Sequence, residues 1–233
     1  MSWTVQCKNT RHGDNSTDLG RLKQALVNAT KSDKDKPSKE ILLFCSAPDK
    51  GQSNAKNTYY PFDCTELHKV FRIGAAKADG SAHSLVDSKV DFLLPGEKVI
   101  MKESDMVIPE EDATPRTGSS LATAHAAGLA AMILHCVRMG AVYNYYKGNR
   151  AGVTDASLRA IKTYDAMKAA FHTIRNPDPT STTDRRLGVE TFFKNPSVSL
   201  GKDSELTDED KWIKVAQIAR NLVSDNTENT QRP

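Results

Sequence analysis

The segment Ser119–Met139 constrains the fold more than any other stretch of this chain. It is rich in alanine, the best helix former, and has no interior proline to stop a helix. Its large apolar residues, Leu121, Leu129, Met132, Ile133, Leu134 and Val137, do not share one narrow stripe. A helix that is apolar nearly all round belongs in the buried centre of a domain. Its first half is nearly all small (Ala122, Thr123, Ala124, Ala126, Ala127, Gly128), which lets neighbouring backbone approach closely. The rest of the chain must therefore supply the layers that enclose it.

Those layers read as strands and helices in alternation. Met1–Val5 is a short strand, and Thr17 is placed to cap a helix carrying Leu19, Leu22, Ala25 and Leu26 on one face. Ile41–Cys45 is a continuous apolar run of strand length, the pattern of a strand buried on both faces. Ala47-Pro48-Asp49-Lys50-Gly51 is a turn in which proline sets φ, aspartate can bond nearby backbone and glycine permits positive φ. Val70–Ala76 and Val90–Leu94 are further strands, with a turn at Asp79-Gly80 between them and a stop at Pro95-Gly96. After the long helix, Thr154 or Asp155 begins a helix carrying Leu158, Ile161, Met167, Phe171 and Ile174, ended by Pro177 and Pro179. Thr207 begins another, carrying Trp212, Val215, Ala216, Ala219 and Leu222. Strands that precede and alternate with helices predict an α/β fold.

Composition excludes several functions. The chain has 233 residues, 38% of them apolar, and a net charge of only +3. Neither a basic stripe with interleaved aromatics nor a zinc-finger spacing is present, so nucleic acid is not an expected partner. Cys7, Cys45, Cys64 and Cys136 are scattered, with no Cys-x-x-Cys pair, so no metal site is assigned and no cofactor is called for. Free thiols or a single disulfide are both compatible with that spacing. The first residues lack a signal peptide's basic and apolar regions, and no uninterrupted apolar run reaches the roughly 20 residues that span a bilayer. By themselves these features predict a soluble, intracellular chain with no membrane partner, with localisation open if the N-terminus lies further upstream.

The chemistry concentrates in Gly118-Ser119-Ser120-Leu121-Ala122-Thr123-Ala124-His125-Ala126-Ala127-Gly128. A serine at the start of a buried helix stands where unpaired backbone N–H groups and the positive end of the helix dipole favour a developing oxyanion. Serine is also a favoured N-cap, which accounts for one serine here without any chemistry. The string resembles the nucleophile motif of the subtilisin-like serine proteases (subtilases), Gly-Thr-Ser-Met-Ala-Thr-Pro-His-Val-Ala-Gly. Gly118, Ser120, Ala122, Thr123, His125, Ala127 and Gly128 match it outright. Upstream resemblances follow in the family's order. Met1-Ser2-Trp3-Thr4 is similar to the strand bordering the substrate cleft. Ile41–Gly51 is similar to the strand and turn that end in the oxyanion asparagine. Tyr60-Pro61 with Val70–Ala75, and Val90–Gly96, are similar to the two strands that follow.

The resemblance implies part of a subtilisin-like, parallel-sheet, three-layer domain over residues 1–150, with a helical extension at 151–233. It implies a serine endopeptidase with Ser120 as nucleophile, Asp49 at the oxyanion-hole position, and Ser2, Trp3, Thr4, Ser46, Ala47 and Pro48 along the substrate. A peptide or protein is the implied substrate, and no calcium site is assigned. Asp49 reads equally well as the turn residue of Pro48-Asp49-Lys50-Gly51; if ionised it accepts hydrogen bonds only and opposes an oxyanion.

The family's other two triad motifs, Asp-Ser/Thr-Gly and His-Gly-Thr, belong upstream of the Met1–Thr4 strand and are absent from these residues. His12-Gly13-Asp14 has neither the place nor the threonine of the second, and His125 is expected to be a core histidine. Without a base the serine hydroxyl stays protonated, and in enzymes of this kind losing the base costs roughly a millionfold in turnover. The expected partner is then the N-terminal part of the domain, the alternative being an inactive remnant that serves as an interaction module. Missing central strands would leave sheet edges unpaired. The purified 233-residue chain is expected to melt without cooperativity or to self-associate. A sharp thermal transition together with a monomeric sedimentation profile contradicts this.

Overall fold

The computed structural model describes residues 5–7, 16–31, 40–50, 58–100, 114–149, 152–175, 185–201 and 205–223. The elements are β1 (Val5–Cys7), α1 (Ser16–Ala29), β2 (Leu43–Ser46), β3 (Thr58–Tyr60), β4 (Val70–Ala76) and β5 (Phe92–Pro95), then α2 (Ser119–Tyr146), α3 (Asp155–Ala160), α4 (Tyr164–Ile174), α5 (Val189–Leu200) and α6 (Asp208–Val223). The chain divides into two compact units, Met1–Val27 with Leu43–Ala127, and Asn28–Leu42 with Gly128–Pro233.

In the first unit β2, β4 and β5 form a parallel sheet in the order β2-β4-β5, the α/β arrangement expected from the sequence. Leu43 pairs with Val70 and Ser46 with Ile73, while Ile73 also pairs with Phe92 and Ala76 with Pro95. β4 is central and buried on both faces except at Arg72, the one charged residue in an otherwise apolar strand. Alternation of side chains along the strands divides the core. One face gathers Cys45, Val70, Ala76 and Leu93 with Phe62, Cys64 and Leu67, against which Leu26 and Val27 of α1 pack. The other carries Phe44 stacked on Phe71 at 4.8 Å and Phe71 tilted against Phe92 at 6.4 Å. Arg72 is kept among apolar neighbours by its donors. Its Nε bonds the Phe62 carbonyl at 2.9 Å, and its backbone N–H bonds Asp91 Oδ2 at 2.9 Å. A separate antiparallel pair, β1 with β3, sets Val5 opposite Tyr60.

The second unit is helical. Thr154 caps α3 through a capping box with Ser157. Thr163 caps α4, and the buried carboxylate of Glu40 also accepts from the Tyr164 N–H at 2.7 Å. Thr207 and Asp210 exchange hydrogen bonds at the start of α6. α4 and α5 both contact α6, and the core holds Ile161, Met167, Phe171, Ile174, Ala219 and Leu222. Gly140 of α2 lies directly against α6, since a Cβ there would sit 2.6 Å from Ala219 Cβ.

Several expectations change. The strand over Ile41–Cys45 begins at Leu43 and includes Ser46, and Val90–Leu94 becomes Phe92–Pro95. α1 starts at Ser16, so Thr17 lies inside its first turn rather than at the cap. The single helix expected after Thr154 is two, because the second set of caps at Thr163 and Glu40 restarts it at Tyr164. Cys45, Cys64 and Cys136 are free thiols, and burial pushes the Cys64 and Cys136 thiols above their ordinary range. The expected strand residues Met1–Thr4 lie outside the described residues.

α2 departs most. It runs to Tyr146, and one face is buried through Ala122, Ala126, Leu129, Ala130, Ile133, Val137 and Ala141, whereas Ala124, Ala127, Gly128, Ala131 and Met132 are exposed. An 18-residue window of it has a mean hydropathy of 1.5, enough by length and composition to cross a membrane, which corrects the expectation that no stretch qualifies. A core helix meets the same measure.

Two glycines of α2 separate propensity from packing. Gly128→Ala meets nothing within 4 Å and is expected to stabilise by about 0.5–1 kcal/mol through helix propensity. Gly140→Val is expected to destabilise by about 1–3 kcal/mol by forcing α6 away. Urea titrations of both variants check the opposite signs.

Candidate active site

The parallel sheet ends where α2 begins. After β5 the Gly96 N–H bonds the Ala76 carbonyl at 3.2 Å, and the Gly118 N–H bonds the Gly96 carbonyl at 2.8 Å. Val99 and Arg116 bridge by two backbone bonds of 2.8 and 3.0 Å, and the Lys98 N–H bonds Thr117 Oγ1 at 3.0 Å. The segment between β5 and α2 is thus closed at its neck, and Gly118 is delivered against the sheet end. No side chain fits at Gly96, since a Cβ would lie 2.7 Å from Ala75 Cβ and 3.0 Å from the Gly118 carbonyl oxygen.

Two adjacent serines then behave differently. Ser119 is wholly buried. Its N–H donates to Asp49 Oδ2 at 2.6 Å, and its hydroxyl donates to Asp49 Oδ1 at 2.5 Å. The same hydroxyl accepts from the Ala75 N–H of β4 at 3.0 Å, and the Ser119 carbonyl accepts from Thr123 Oγ1 at 2.7 Å. Ser120 is exposed, and neither its hydroxyl nor its backbone N–H has a hydrogen-bond partner among the described residues. Among the described residues the Ser119 hydroxyl bonds Asp49 and Ala75 rather than an N–H of its own helix, so the capping role raised by the sequence is not seen for it. The aspartate satisfies the helix start through Ser119, and Ser120 is left unbonded.

Ser120 opens on a cavity of about 290 Å³ lined also by Ser46, Ala47, Pro48, Asp49, Lys50 and Tyr59. Ser46, Ala47, Pro48 and Asp49, the sequence-derived candidates, are thus gathered beside Ser120, while Ser2, Trp3 and Thr4 lie outside the described residues. Lys50 and Tyr59 were not among the candidates. Lys50 shares the turn with Asp49, and Tyr59 directly precedes the Tyr60-Pro61 pair, so adjacency to recognised motifs was the available signal. Tyr59 is 7% exposed, its hydroxyl has no partner among the described residues, and the Lys50 ammonium stands 6.0 Å from its ring centroid.

Among the described residues no histidine lines the cavity. His125 is exposed rather than in the core, with Nδ1 3.0 Å from the Pro95 carbonyl oxygen. The first turns of α2 bury only one side, and His125 falls on the other. His12 lies outside the described residues.

The sequence profile of the subtilase family matches residues 1–169, and the chain belongs to that family. Among solved structures it is similar to the PatG macrocyclase in complex with peptide, at 19% identity and a TM-score of 0.41, covering 80% of this chain and 46% of that one. It is also similar to the prenylagaramide maturation protease PagA, at 17% identity and a TM-score of 0.40, covering 73% and 62%. A third is the patellamide maturation protease PatA, at 18% and 0.41, covering 76% and 68%. The chain spans less than half the length of the PatG chain. No curated protein sequence matches it.

The contact of Gly96 with Gly118 makes a direct test. Gly96→Ala is expected to cost about 1–3 kcal/mol by pressing the new methyl into Ala75 and the Gly118 carbonyl. Chemical denaturation measures the loss, and Gly128→Ala serves as the uncrowded control.

Proposed function

We propose that this chain is the nucleophile-bearing part of a serine endopeptidase, with Ser120 forming an acyl-enzyme on a peptide or protein substrate. One observation carries the reading. Within a subtilase chain, Ser120 stands at the start of a long helix, exposed beside a cavity, with its hydroxyl and N–H both unbonded among the described residues. In this reading Ser120 Oγ bonds to the substrate carbonyl carbon, and the carbonyl electrons move onto oxygen. The oxyanion meets the Ser120 N–H at the positive end of the α2 dipole. The hydroxyl proton passes to an imidazole from outside these 233 residues and then to the leaving amine; water later releases the acyl group. Ser46, Ala47 and Pro48 line the path of the substrate, with Ser2, Trp3 and Thr4 on its other border. We assign residues 1–150 to the catalytic part and 151–233, where α3 to α6 lie, to a helical extension; the family match itself runs on to residue 169.

A second reading, an inactive interaction module built on the same fold, is favoured by one fact: a carboxylate, Asp49, and no histidine line the cavity among the described residues. The two part experimentally. In a version extended upstream to include an aspartate and a histidine motif, a fluorophosphonate probe is expected to label Ser120 and to leave Ser120→Ala unlabelled. Failure to label the extended protein across the pH range, or a coding sequence with no such motifs upstream, favours the inactive module.

A further inference from the structure

We infer that Asp49 is a positioning residue, which aims Ser120 by holding Ser119 through both carboxylate oxygens. The inference rests on the reading of Ser120 as nucleophile. An ionised carboxylate has only acceptors to offer. Here one oxygen takes the Ser119 N–H and the other the Ser119 hydroxyl, so two donors of a single residue are met by the two oxygens of a single side chain. The Ser119 hydroxyl in turn accepts from the Ala75 N–H. A continuous run of hydrogen bonds thus joins the turn after β2, the first residue of α2 and the middle strand β4. Ser120, the next residue, inherits its place from three elements while bonding to none of them.

These groups meet across Gly118. A Cβ there would lie 3.4 Å from Asp49 Oδ2 and 3.4 Å from Ser120 Oγ, so carboxylate and hydroxyl flank the same bare backbone. Asp49 therefore stands near the reacting oxygen with its acceptors turned to Ser119. A donor to the oxyanion would need a proton on that carboxylate and the loss of one of these bonds. In this reading the Ser120 N–H is a backbone donor to the oxyanion, and Asp49 acts on it through Ser119.

Three variants test this in the extended protein and in the 233-residue chain: Asp49→Ala, Asp49→Asn and Ser119→Ala. Asparagine keeps one acceptor for the Ser119 N–H, and alanine keeps none. Amide hydrogen exchange at Ser119 is expected to speed up by about tenfold or more in Asp49→Ala, as for loss of a charge-assisted hydrogen bond, and by less in Asp49→Asn. Ser119→Ala, which removes only the hydroxyl arm, should leave its own N–H bonded to Asp49 and exchanging more slowly than in Asp49→Ala. Fluorophosphonate labelling of folded protein should be fastest in the parent, slower in Asp49→Asn and slowest in Asp49→Ala, whereas a merely structural residue would alter melting and leave labelling alone. Exchange at Ser119 within about twofold of the parent in Asp49→Ala overturns the inference, set against the tenfold expected for a lost charge-assisted bond. Faster labelling of Asp49→Asn with exchange unchanged, the mark of an oxyanion donor, overturns it too. Should Asp49→Ala not fold, the asparagine variant decides. A parent that is never labelled defeats the peptidase reading alone, and the exchange comparison still decides whether Asp49 holds Ser119.

Discussion

A helix begins with backbone N–H groups that its own turns cannot satisfy. At the start of α2 that deficit is divided unequally. Ser119 gives its N–H and its hydroxyl to Asp49, and Ser120 next to it is left with both groups open among the described residues. The site depends on this inequality. Were both serines satisfied, Ser120 would offer the cavity no open backbone donor; were neither, a buried Ser119 would be left with unpaired polar groups at a cost of about 1–3 kcal/mol. The sheet supports the division from beneath, because the Ala75 N–H of the central strand also ends on Ser119.

The negative charge of Asp49 has a second effect. Placed at the N-terminus of α2, it is favoured by the helix dipole. The same field would favour an oxyanion at Ser120, so carboxylate and reaction intermediate draw on one source of positive potential. The cavity's described lining is serine, alanine, proline, aspartate, lysine and tyrosine, with no imidazole among the described residues.

What was legible in the sequence were features set by local chemistry. β4 was legible as a strand-length, largely apolar segment despite Arg72, and Thr154 and Thr207 announced their helices because a cap bonds within the next few residues. The position of Ser120 was legible through a motif whose glycine and small residues answer to close packing. Features set by distant partners were hidden. Glu40 splits the helix after Thr154 from 124 residues away in sequence, and no periodicity registers it. α5 went unrecognised because Pro196 lies inside it, and β3 because three residues are too few to show alternation. The partnership of Asp49 with Ser119, 70 residues apart, was likewise invisible; the turn around Asp49 offered two roles and the sequence could not choose between them. His125 was expected in the core through its place in the recognised motif, yet it falls on the uncovered side of α2.

The bridge between Val99 and Arg116 bears on how such a site can diversify. The two strand-like ends are bonded to each other, and just beyond them Gly118 is bonded to Gly96. Whatever connects position 100 to position 115 is therefore attached through a closed collar rather than through the serine itself. Because the entropy of closing a loop grows only slowly with its length, residues can be gained or lost beyond the collar at little cost to the geometry below it. Variation in that connection is mechanically insulated from Ser120, so a lineage can change its length without reaiming the serine.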